Sequence, residues 1–136
     1  MAFALLSASL TLLSGQPKQA QSGEVFASGA AVYIDSTGRL MKTNSEVLAE
    51  SACDGFALAE SNAANQWVNY APRGSKLTVS GLVAGESYWC GGSADAGEVG
   101  LRADAVTGTH YGTLAGVTHS ATVFEVIGIK TGVAVA

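Results

Sequence analysis

The segment Ser28-Gly29-Ala30-Ala31-Val32-Tyr33-Ile34 returns in altered form as Ala84-Gly85-Glu86-Ser87-Tyr88-Trp89-Cys90. Gly29 aligns with Gly85 and Tyr33 with Trp89 at one spacing. Each segment passes from a small residue and a glycine into large apolar and aromatic residues. Further along, Gly55-Phe56-Ala57-Leu58-Ala59 is answered by Gly116-Val117-Thr118-His119-Ser120. Internal similarity of this kind restricts a fold more than local propensity does, because one supersecondary unit must serve twice. The sequence is read as two similar β units.

Short strands punctuated by glycine make up the body. Ala30 to Ile34 carries Val, Tyr and Ile, and Asp35-Ser36-Thr37-Gly38 has turn chemistry leading to a return strand over Arg39 to Thr43. Asn44 to Asp54 supports a single helical turn. Strands are expected over Gly55 to Glu60, Gln66 to Ala71, Lys76 to Val83, Glu86 to Cys90 and Gly100 to Val106, with His110 to Leu114 and Gly116 to Ser120 pairing with Thr122 to Ile129 and Thr131 to Val135. Seventeen glycines against two prolines suit tight turns and bulges rather than long helices. The expected fold is all-β, a small antiparallel barrel or sandwich built from the two units.

The first 22 residues read differently. Met1 to Leu13 carries Phe3, Leu5, Leu6, Leu10, Leu12 and Leu13 without the basic residues that precede the apolar core of a secretory signal. It is also shorter than the ~20 residues a membrane-spanning helix needs. Leu6, Ala8, Leu10 and Leu12 alternate with Ser7, Ser9 and Thr11, as in a half-buried strand, although Ala and Leu also allow a short helix. Gly15 to Gly23 reads as a polar linker. This division gives an apolar arm and linker over residues 1–22 and a β domain over 23–136, with the six large apolar residues of the arm as candidate assembly contacts.

Charge narrows the classes of function. Charged residues are 13% of the chain and hydrophobic residues 48%, so an isolated copy has little charge with which to solvate its surface. The expectation is burial of surface in an oligomer or larger assembly. A net charge of −4 and seven scattered basic residues argue against nucleic-acid binding, which needs clustered Lys and Arg. No membrane partner is expected.

Constellations for catalysis are weak. Ser, His and acidic residues are present without a GxSxG nucleophile elbow, and adjacent His119 and Ser120 would point to opposite faces of a strand. Gly91-Gly92-Ser93 lacks the Lys and helix of a phosphate loop. Asp95, Glu98 and Asp104 match no calcium-loop spacing, and His110 and His119 have no ligand partners near in sequence. Neither catalytic residues nor a cofactor or metal site is assigned. Cys53 and Cys90 read as separate buried thiols or as a pair joined across the units. Trp67, Tyr70, Tyr88 and Trp89 would serve either as core residues or as a platform for stacking sugars.

Gly29-Ala30-Ala31-Val32-Tyr33-Ile34-Asp35, Gly38-Arg39-Leu40, Gly55-Phe56-Ala57-Leu58, Ala84-Gly85-Glu86-Ser87-Tyr88-Trp89 and Ile127-Gly128-Ile129 together resemble the decoration (cement) or head-fibre proteins of tailed-phage capsids. The resemblance covers the body from Gly23 to Ala136. It implies a β-barrel-like fold, no catalysis, a homotrimer, the major capsid protein as partner, and a place on the outer surface of the virion after synthesis in the host cytoplasm. In that reducing compartment the two cysteines would stay free. The alternative is a carbohydrate-binding or adhesive module of a phage fibre.

Overall fold

The computed structural model describes residues 3–6, 10–101 and 111–134, and among these eleven strands form two antiparallel sheets that do not close into a barrel. The first sheet contains β2 (Lys18–Gln21), β3 (Ala31–Ile34), β4 (Leu40–Lys42), β5 (Gly55–Ala57) and β6 (Trp67–Pro72), in the spatial order β2-β6-β5-β3-β4. The second contains β1 (Thr11–Ser14), β7 (Lys76–Thr78), β8 (Ser87–Cys90), β9 (Val99–Leu101), β10 (Tyr111–Ser120) and β11 (Val123–Ala134), in the order β1-β7-β11-β10-β8-β9. The order of the last five strands repeats that of the first sheet, each strand being replaced by the one five places later in the chain. The sandwich is therefore built from two copies of one five-stranded unit, with β1 added at one edge.

Register agrees strand by strand. Ala31 pairs with Phe56 and Val32 with Gly55, while Ser87 pairs with Val117 and Tyr88 with Gly116. Phe56 then pairs with Ala71 and Ala57 with Tyr70, matched by Val117 with Glu125 and Thr118 with Phe124. Lys18 opposite Tyr70 matches Leu77 opposite Phe124. The glycines that carry the sequence repeat have the same backbone roles. Gly29 (φ 88°) and Gly85 (φ 73°) are both left-handed, and their amides donate to Ala57 O and Thr118 O at 2.9 and 3.1 Å. At Gly55 a Cβ would run into the carbonyl oxygen of Ala71, and at Gly116 into that of Glu125. The repeat survives at these positions because the backbone leaves no room for a side chain.

The units do not pack as mirror partners. Opposed residues in a sheet share a face, so each unit has a face marked by Val32, Tyr70 and Leu40 or by Tyr88, Phe124 and Val99, here termed the front. The back carries Ala31, Phe56 and Ala71 in the first unit and Ser87, Val117 and Glu125 in the second. The main core joins Ala31, Phe56 and Ala71 to Leu77, Tyr88, Val99, Phe124 and Val126. The back of the first sheet therefore lies on the front of the second, with Phe56 edge-on to Phe124 at 5.4 Å and Tyr88 against Phe124 at 6.2 Å. A smaller core on the front of the first sheet gathers Phe26, Ala30, Val32, Leu40, Ala57, Val68 and Tyr70. Leu82 packs on the second front where Phe26 packs on the first.

Several local expectations change. The segment expected as a linker contains β2, the first strand of unit one and the counterpart of β7. The segment expected as an arm is interwoven with the second sheet: Ala4 exchanges amide hydrogen bonds with Val99 at 3.0 and 2.7 Å, and β1 pairs with β7. The helical turn of Asn44 to Asp54 is a single 3-10 turn over Leu48–Glu50. β10 and β11 are each one long bulged strand where two short ones were expected. Residues 7–9, most of the strand expected over Gly100 to Val106, and Val135 lie outside the described residues. No helix among the described residues is long and apolar enough to cross a membrane.

Substitution of alanine at Gly55 or Gly116 forces the neighbouring strand away, an overpacking cost of about 1–3 kcal/mol. Both variants are expected to lower the urea midpoint of unfolding by similar amounts, whereas Gly38→Ala, where nothing lies within 4 Å of the new carbon, pays only for its φ of 84°. Loss of stability at one of the two positions alone would contradict their equivalence.

Candidate functional site

The apolar residues proposed as assembly contacts divide by exposure. Leu6 and Leu10 are buried in the main core, and Leu6 N donates to Gly29 O at 3.3 Å, so both seal the sandwich of their own chain. Leu12 is half-buried against the same core. Phe3 lies over Gly100, whose missing side chain makes room for the ring. Leu5 and Leu13 remain on the surface. The alternation of apolar and polar residues was legible in this segment, but it does not tell whether the apolar side meets the same chain or another.

Loss of a buried leucine typically costs about 2–5 kcal/mol, and two such losses approach the ~5–15 kcal/mol stability of a whole domain. Deleting residues 1–13 is therefore expected to abolish the cooperative unfolding transition. A truncated chain that unfolds at the parent's urea midpoint would show that the segment is dispensable.

Other polar candidates resolve into local structure. His119 Nε2 lies 2.7 Å from Glu125 Oε1 on the exposed back of the second sheet. His110 and Asp104 lie outside the described residues. Glu98 is raised above the usual carboxylate range by burial and then by Asp95, with Lys42 opposing. Gly92 is crowded by the Glu46 carboxylate, which also accepts from Ser93 N at 3.2 Å, so the Gly91-Gly92-Ser93 loop presents an acid rather than a cradle for phosphate. The four aromatic residues do not converge. Tyr70 and Tyr88 are buried in different cores, while Trp67 and Trp89 project from different sheets.

Cys53 and Cys90 are free, buried thiols, one from each unit. Contact with the Cys53 thiol, reinforced by burial, holds the Cys90 thiol well above the ordinary range. Both thiols are buried, so neither cysteine is expected to react with an alkylating reagent in the native protein, and two are expected to react after unfolding without reductant. Two cysteines still blocked in urea would reveal a disulfide.

The surface feature most closely tied to the architecture is an open depression of about 420 Å³ on the front of the first sheet, lined by Lys18, Ile34, Asp54, Tyr70, Pro72 and Arg73. Asp54 accepts from Ile34 N at 2.8 Å, and Tyr70 is raised by burial and then by the Asp54 carboxylate. Four of these residues have counterparts in unit two, where Lys18, Ile34, Tyr70 and Pro72 become Leu77, Cys90, Phe124 and Val126. All four counterparts are buried beneath the first sheet. The depression is thus the part of the front that has no second layer over it. At the opposite end of the molecule, the back of the second sheet carries Ser87, Val117 and Glu125, each partly exposed, where Ala31, Phe56 and Ala71 are fully buried in unit one. Sequence reasoning missed both surfaces; only pairing register shows which residues are equivalent.

Comparison with protein-family models and with curated sequences gives no match for this chain.

Proposed function

We propose that this chain is a structural decoration protein, a homotrimer that binds the major capsid protein on the outside of a tailed-phage head and strengthens the shell without catalysis. The observation that carries the reading is the pair of unlike surfaces at the two ends of the sandwich: a polar-rimmed front depression and a partly apolar back sheet whose counterparts are core. Residues equivalent to core residues but left at the surface suit a protein that completes its packing in an assembly. Exposed Val133, Ile129 and Leu13 add to the uncovered apolar surface of the second sheet. Stabilisation of a shell follows from mass action, since a ligand of the assembled state alone favours that state, and repetition over many sites multiplies a modest contact. Free thiols fit synthesis in a reducing cytoplasm.

A carbohydrate-binding role has one specific feature in its favour. Trp67 is 64% exposed on β6, and Gln21, its cross-strand partner, shares its face with Gln19 and Asn69. A flat ring beside amides is suited to a sugar. The purified protein is expected to co-sediment saturably with isolated heads of the phage that encodes it, to raise the temperature at which those heads rupture, and to bind no member of a glycan panel. Absence of head binding defeats the decoration reading, and glycan binding abolished by Trp67→Ala would put the sugar-binding one in its place.

A further inference from the structure

Inside the chain, the back of one unit already packs on the front of another. We infer that the same contact is repeated between molecules: the back of the second sheet of one copy docks in the front depression of the first sheet of the next, so that the chain self-associates head to tail. The occupant of the depression is a second copy of this chain.

The internal interface supplies the template, and the external one continues it. Phe56 projects from the back of unit one onto Phe124 at 5.4 Å. Their counterparts are Val117, partly exposed on the back of unit two, and Tyr70, which lines the depression. Val117 of one copy meets the edge of Tyr70 that borders the depression of the next, a smaller contact than the internal one, because most of Tyr70 is buried in the core around Phe26. Ala71 and Leu77 share the internal core. Their counterparts are Glu125, which also pairs with His119 on the back, and Lys18 on the front. The repeated contact therefore brings a carboxylate to an ammonium, with Arg73 beside it and the Asp54 carboxylate, held by Ile34 N, in the same depression. An apolar pair inside the molecule has become a complementary charged pair at its ends. These are the residue types expected where a surface must be soluble alone and specific in contact, because complementary charge fixes partner and register.

Such a contact joins two different surfaces and is heterologous. It either closes into a ring, the cyclic trimer of the proposed function being one such ring, or continues as a filament. The inference stands apart from the capsid reading, because association is measured on the protein alone and head binding by separate co-sedimentation.

Two substitutions, one at partly exposed Val117 and one at exposed Lys18, test it. Val117→Lys keeps a favourable cross-strand neighbour in Glu125 but sets a cation against Lys18 and Arg73, blocking the back. Lys18→Glu opposes Glu125 and blocks the front. Sedimentation velocity of the full-length protein is expected to show concentration-dependent association of the parent, monomers for each variant alone, and a dimer on mixing them. The mixed dimer forms because one variant keeps its front and the other its back, and it cannot grow. A parent that stays monomeric at every concentration overturns the inference. So does a Lys18→Glu variant that associates like the parent, or a mixture that stays monomeric. Hydrogen exchange of the unsubstituted protein at low and high concentration provides a check independent of variant folding. Slowing is expected at both Lys18–Gln21 and Ser87–Cys90, and slowing at the second segment alone would mean back-to-back pairing and overturn the inference.

Discussion

The arrangement depends on the contact between Phe56 and Phe124. One ring leaves the back of its sheet and meets the other edge-on at the front of the neighbouring sheet. An edge-to-face aromatic pair contributes about 0.5–1.5 kcal/mol beyond the area it buries, but its larger consequence is geometric. It commits the two units to stacking in the same sense. Had two fronts met, both apolar faces would have been consumed in one core. With back on front, one front and one back are left over, and the smaller core around Phe26 and Val32 is needed to close part of the remaining front.

Divergence between the copies follows the burial imposed by that choice. Positions on the second front are apolar, as Leu77, Cys90, Phe124 and Val126, while on the first they are Lys18, Ile34, Tyr70 and Pro72. Positions on the first back are small or aromatic, as Ala31, Ala71 and Phe56; on the second they are Ser87, Glu125 and Val117. Burial of a large apolar side chain is worth about 1.5–3 kcal/mol, whereas an unpaired charge in the same place costs more than that. The pair of environments is enough to separate two sequences that began alike. It also explains why the similarity persists mainly at glycines: Gly29 and Gly85 need a left-handed backbone, Gly55 and Gly116 need an absent side chain, and neither requirement depends on which face is covered.

What the sequence revealed follows the same division. The repeat, the strand at Ala31–Ile34 and its hairpin, and the all-β class were legible, because turns and alternation are local properties. The stacking sense was not, since alternation marks two faces without saying which is covered by what. β2 was hidden because Lys18-Gln19-Ala20-Gln21 has no apolar rhythm; its strand character comes from pairing with β6. Met1 to Leu13 showed the rhythm of a half-buried strand, but the polar stretch from Gly15 to Gly23, with its Gly and Pro breakers, suggested an independent arm. Leu6 and Leu10 instead enter the core. The two end surfaces were invisible because each is defined by comparison with its counterpart in the other unit.

The edges of the sheets offer association a second route. An open strand edge invites pairing with another chain, and proteins cover or charge such edges. In the second sheet β9 is met by Ala4 and β7 by β1. In the first sheet β4 is covered by the preceding segment, with Gly23 N donating to Leu40 O at 2.9 Å and Glu24 accepting from Lys42 N at 2.9 Å. β2 lies at the remaining edge of that sheet and carries Lys18, the kind of residue that discourages addition of a strand. The N-terminal segment occupies both edges of the second sheet. It covers the edges of β7 and β9, and leaves β1 itself as the terminal strand of that sheet.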